Sequence, residues 1–203
     1  MHKAETQALE KTRTRSRTWQ EEVDMLLSMI DCLVLDREAV YASSEFTTGK
    51  RFYELCRRYN IHTGTELKKR LGEEYRTQLL APNKEGGIRF ARTLREFGHE
   101  VVLTPHPFIA VDWSQSEYLG FWEEVIQRKC HAVYFNEGWE FSNGCTFEYL
   151  AGLKAGMPLL DHDKKLLELP TAKEMIGNAI KNLEKEGFDT PELRRVYAEL
   201  SSP

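Results

Sequence analysis

The chain predicts an α/β fold with a parallel sheet, on three observations. Short β-prone runs alternate with stretches of helical periodicity along most of the length. Two of the helical stretches close on a glycine, Gly98 and Gly156, and a strand-like run follows each at once. Polar loops follow three of the predicted strands, at the carboxyl ends where such folds bind ligands. Together these predict a Rossmann-like sheet flanked by helices, with a helical insertion and helical N- and C-terminal extensions.

Each element has its own local warrant. Trp19 to Leu33 carries Val23, Leu26, Leu27, Met29, Ile30 and Leu33 at helical spacing, which predicts an amphipathic helix. Ala39 to Ser43 is short and β-prone and predicts the first strand. Phe52 to Tyr59 and Gly64 to Leu80 predict two helices, the second rich in Lys, Arg and Glu. Asn83 to Phe97 shows helical periodicity through Ile88, Ala91 and Leu94, and Glu100 to Thr104 predicts a strand that stops at Pro105. Tyr118 to Lys129 predicts a helix and His131 to Phe135 a strand. Thr146 to Ala155 predicts a helix, and Met157 to Leu160 the last strand. Thr171 to Glu186 and Pro191 to Leu200 predict terminal helices. The expected organisation is a tail and helix over 1–38, an α/β domain over 39–165 with an insertion at about 52–82, and C-terminal helices over 166–203.

Composition narrows the function classes. A length of 203 residues with 41% hydrophobic content suits one domain with a real core. The net charge of −4 argues against a protein built to coat nucleic acid. The one local basic run, Lys11 to Arg17, reads as a solvated tail. The polar start MHKAETQALE lacks the apolar core of a signal peptide, and no apolar stretch reaches membrane-span length. Cys32, Cys56, Cys130 and Cys145 are widely spaced and form no CxxC pair, so they read as reduced thiols of a cytoplasmic protein.

Three loops are candidates for chemistry. Ser43 to Lys50 offers hydroxyls, Gly49 and, with Arg51, two cations at a strand-to-helix turn, a setting that suits phosphate oxygens. It is neither a P-loop nor GxGxxG, and alone it reads first as an ordinary polar turn. Thr104 to Asp112 holds His106 between two prolines that stiffen its backbone. The third runs from Asn136 to Thr146. There Gly144 permits a tight turn, and Glu148 falls in the first turn of the predicted helix, where the dipole favours a carboxylate. Such a carboxylate can attack a sugar's anomeric carbon. On composition alone Glu148 is also a plain helix-start acid, and Trp139 can stack on a base or cover the sheet edge.

These residues carry a resemblance over roughly residues 39–160. Gly144-Cys-Thr-Phe-Glu148, followed by Ala151 and Gly156-Met-Pro158, resembles the signature of the nucleoside 2-deoxyribosyltransferase superfamily. Ser142, six residues before Glu148, is similar to the phosphate-contacting serine of its 2′-deoxynucleoside 5′-monophosphate N-glycosidase branch. Tyr41, Ser43, Ser44, Phe46, Thr47, Thr48, Gly49 and Arg51 are similar in order and spacing to the first strand and loop. Thr104-Pro-His106 matches that branch's Thr-x-His.

The resemblance implies that Glu148 is a nucleophile, that Tyr41 steers it, and that Ser142 and the 43–49 loop hold phosphate or base. The relatives place an aspartate in the helix before the third strand; this chain offers only Glu123 or Glu124 there as proton donor. The substrate implied is a small-molecule nucleotide, with neither metal nor redox cofactor required. A homodimer or larger homo-oligomer is implied because relatives complete their sites across subunits. Three other readings stay open: transfer of the sugar to a second base, a nucleotide-binding sensor without turnover, and cleavage of a larger nucleotide such as a dinucleotide cofactor.

Overall fold

The computed structural model describes residues 18–107 and 113–202. The predicted tail with its basic run, and the second half of the His106 loop, lie outside the described residues. The chain divides into a first unit ending at Leu33 and a second from Val34 onward. The first contains helix α1 (Trp19–Asp31), started by a capping box in which Thr18 and Glu21 satisfy each other's backbone N–H.

In the second unit, strands β1 (Ala39–Ser43), β2 (Val102–Leu103), β3 (Cys130–Phe135) and β4 (Leu159–Asp161) form one four-stranded parallel sheet in the order β2-β1-β3-β4. All of β1 is buried, as a strand covered on both faces must be. One face, with Val40, Ala42, Val102, Ala132 and Tyr134, packs on Phe90, Ala91 and Leu94 of helix α4 (Ala81–Glu96). On the other face Tyr41 meets Trp122 of helix α5 (Gln115–Lys129), and Phe135 meets Tyr149 of helix α6 (Asn143–Lys154). Gly152 lets α6 lie close to the sheet: a Cβ there would sit 2.6 Å from Leu159 Cδ2.

Helices α2 (Lys50–Tyr59) and α3 (Gly64–Leu71) lie in the connection between β1 and β2, in the stretch expected as an insertion, and α7 (Leu169–Lys185) and α8 (Pro191–Ser201) form the helical C-terminal region. The single helix expected over 64–80 is two. Gly72, at φ +54°, ends α3, and a π-helical turn at Arg76–Leu80 runs directly into α4. Helix α5 starts three residues earlier than the apolar period implies, because Ser114 and Glu117 make a second capping box. Among the described residues, no helix is long and apolar enough to cross a membrane.

The sheet order matters for function. The chain leaves β1 toward β2 on one side and returns to β3 on the other, so the β1 and β3 loops diverge at the middle of the sheet. That switch point is where ligands settle in open parallel sheets.

Candidate active site

A cavity of about 310 Å³ opens at that switch point. One wall comes from the loop after β1, with Ser44, Phe46, Thr47 and Thr48. The base comes from the start of α6, with Ser142, Gly144, Cys145 and Glu148. The opposite wall is Pro105, Trp113 and the first turns of α5 (Gln115, Tyr118, Leu119), and Leu80 of the π turn closes one side. A space of this size suits a small organic ligand.

Glu148 is the only carboxylate lining it among the described residues, and it is 5% exposed. Tyr41 and Ser43 stand two apart on β1, so strand alternation points both at α6. The Tyr41 hydroxyl donates to Glu148 Oε1 at 2.7 Å, and Ser43 Oγ donates to Oε2 at 2.5 Å. Burial raises the Glu148 carboxyl to about 7, against the pull of the Ser43 and Tyr41 hydrogen bonds. The carboxyl in turn helps burial push the Tyr41 phenol well up, which keeps it a donor.

Two expectations about this helix are corrected. Its first residue is Asn143, not Thr146, so Glu148 lies in the second turn and no acid occupies the first. The early start is stabilised by caps. Ser142 Oγ accepts from Cys145 N–H, and Thr48 Oγ1 accepts from Asn143 N–H at 3.0 Å. Glu148 is therefore tuned upward by desolvation rather than downward by the dipole. Gly144 lies inside the first helical turn instead of making a turn before it. Its N–H is the one of the first three in α6 without an acceptor among the described residues, and Gly144 is part of the cavity lining. With the Ser142 hydroxyl beside it, this end of the cavity suits an anion.

Other predicted residues take supporting places. His106 is buried behind the β1 loop, with Nε2 2.6 Å from Ser44 Oγ and its ring edge-on to Phe46. Burial lowers it to about 4, so the ring is neutral at physiological pH. Helix α4 holds this arrangement from outside: Asn83 Nδ2 donates to Phe46 O at 2.7 Å, and a Cβ on Gly87 would sit 1.9 Å from His106 Cδ2. His106 thus orients Ser44 and does not line the cavity. Ser43 likewise positions Glu148 rather than touching a ligand. Gly49 is the N-cap of α2 at φ +138°, and the Glu45 side chain fills the space a Cβ would need.

Four predicted residues are not brought into the site. Arg51 is exposed on α2 and lines a separate hollow with Arg58 and Tyr59. Trp139 is 2% exposed and stacks on Tyr149 at 5.1 Å, as part of the core. Glu124 is exposed, and Glu123 accepts from Gln127 within α5. Neither glutamate lines the cavity, because the face of α5 that does so carries Gln115, Tyr118 and Leu119.

Those three, with Trp113 and Leu80, escaped sequence reading. The only available signal was the Ser114-x-x-Glu117 capping box, which would have moved the start of α5 back to the cavity rim. Cys145 is also in the lining, but burial pushes its thiol far up and keeps it protonated. Comparison with models of known protein families, with curated proteins and with solved structures gave no match to this chain.

Proposed function

We propose that the protein is an N-glycosidase that cleaves the base–sugar bond of a nucleoside 5′-monophosphate. The observation that carries this reading is Glu148, a buried carboxylate at the base of a ligand-sized cavity, oriented through both oxygens by Tyr41 and Ser43. Each oxygen keeps a lone pair beyond its one hydrogen bond. The ionised form attacks C1′ of the sugar, the base leaves with the electrons of the glycosidic bond, and a glycosyl ester forms. Water then attacks the ester, releases the sugar phosphate and restores the carboxylate; the proton that water loses balances the one that the departing base takes up.

The anion-compatible end of the cavity, Ser142 and the Gly144 N–H, supports a 5′-phosphate. Trp113 and Gln115 on the facing wall supply a stacking surface and an amide for the base. Tyr118, whose phenol burial raises to about 12 while it donates to Pro105 O, is the hydroxyl on the base side. The reading brings with it a homo-oligomer, checked by mass in solution.

The test is release of free base from a panel of ribo- and deoxyribonucleoside 5′-monophosphates, with and without an added second base. Wild type is expected to release base and Glu148→Gln to release none; the added base separates hydrolysis from transfer. A Glu148→Gln enzyme as fast as wild type would sink the assignment. A second reading, a nucleotide sensor, is favoured by the lack of a second carboxylate among the described lining residues. Binding across the panel with no base released would establish it.

A further inference from the structure

Beside the cavity lies a second hollow of about 470 Å³, formed by the helical insertion. Phe46 and Leu80 line both spaces and are only half-buried, so the two hollows adjoin across a saddle of these side chains. Lys68 of α3, Arg76 of the π turn and Lys84 of α4 all border the second hollow, with Glu73 as its one acid. Among the described residues, none of these three cations forms an ion pair within the chain. Its other walls include the Tyr75 ring and the Phe46 and Leu80 side chains. Aromatic and aliphatic walls under a net cationic rim fit a base ring joined to phosphate.

The position of the saddle sets the direction of the ligand. Phe46 adjoins Thr47 and Thr48, in the wall next to the Ser142 and Gly144 end where the 5′-phosphate is proposed to lie. A group attached through that phosphate leaves the cavity past Phe46, toward the three cations. Resting on the glycosidase reading above, we propose that the substrate is a dinucleotide, two nucleosides joined 5′ to 5′ through pyrophosphate. The scissile nucleoside occupies the cavity over Glu148. The second nucleoside occupies the hollow walled by Tyr75, with the bridging phosphates between Ser142 and the cations. The insertion, on this view, is a recognition element.

The experiment compares, for each nucleoside, the 5′-monophosphate, the 5′-diphosphate and the symmetric 5′,5′-pyrophosphate dinucleotide. Base release is measured as kcat/KM, and binding by equilibrium dialysis. The dinucleotide is expected to exceed the monophosphate by about tenfold or more in both. In Lys68→Ala/Arg76→Ala that ratio is expected to fall toward one. Equal values for monophosphate and dinucleotide would overturn the proposal, as would a ratio unchanged in the double variant. A diphosphate as good as the dinucleotide would also overturn it, because no second nucleoside would then be read. Dialysis separates the two readings: a binding preference lost in the double variant, without base release, supports the hollow while the glycosidase reading fails.

Discussion

Glu148 and His106 titrate in opposite senses, and replacing one exposes the other. Burial raises Glu148 from an ordinary value of 4.5 to about 7. The folded protein therefore holds this proton more tightly than the unfolded chain does between those values. Its contribution to stability is complete below pH 4.5 and is lost as pH rises to about 7. At about 1.4 kcal/mol per pH unit the loss is about 3 kcal/mol. Burial lowers His106 from 6.5 to about 4, so its contribution is complete above pH 6.5 and is lost as pH falls to about 4, again by about 3 kcal/mol.

The windows overlap, so the two slopes cancel over most of that range in the wild type. Glu148→Gln removes one slope. Urea unfolding of both proteins at intervals from pH 4 to pH 8.5 measures the difference directly, since all other groups subtract out. The variant is expected to gain about 3 kcal/mol on wild type between pH 4.5 and 7, with the gain constant above. A difference independent of pH would refute the claim that Glu148 is a desolvated carboxyl. Wild-type activity should run the other way: kcat/KM should rise with pH to a plateau with a midpoint near 7, as the nucleophile ionises.

Further outcomes follow from the same geometry. Tyr41→Phe removes a donor that favours the ionised carboxylate, so the acid limb of the pH–rate profile should move up by about one unit. Ser142→Ala should cost about 1 kcal/mol through loss of the α6 cap, measured by denaturation. It should also raise KM for a nucleoside monophosphate more than for the nucleoside. Gly87→Ala should destabilise by about 1–3 kcal/mol, because the new methyl occupies the His106 ring's place; neutral stability would show that the ring has room to move. Glu123→Gln and Glu124→Gln should leave base release at the wild-type rate.

Strand alternation and helical periodicity made the layers of the fold legible, because one-dimensional spacing dictates which side chains share a face. The loops after β1 and β3 were legible for the same reason: parallel strands put their carboxyl ends on one edge. The start of α6 was not. Asn143 and Gly144 are poor helix formers and argue locally for a later start. The helix begins there because Ser142 caps the Cys145 N–H and Thr48, distant in sequence, accepts from the first N–H. Trp139 and Arg51 were misplaced because a polar loop and a loop-end cation look alike in sequence whether they face ligand, core or solvent.

By itself the sequence determined the α/β class, the edge of the sheet that carries the site, and Glu148 as the acid worth following. Local periodicity and turn chemistry carry that much. Only the tertiary structure decided the state of that acid. Burying a carboxylate costs more than two hydrogen bonds return, so the burial of Glu148 in the assembled fold, and not the helix dipole, determines how it holds its proton. It also decided that α5 offers Tyr118 and Gln115 instead of Glu123 and Glu124, because burying Phe121, Trp122, Val125 and Ile126 in the core fixes which face of the helix meets the cavity.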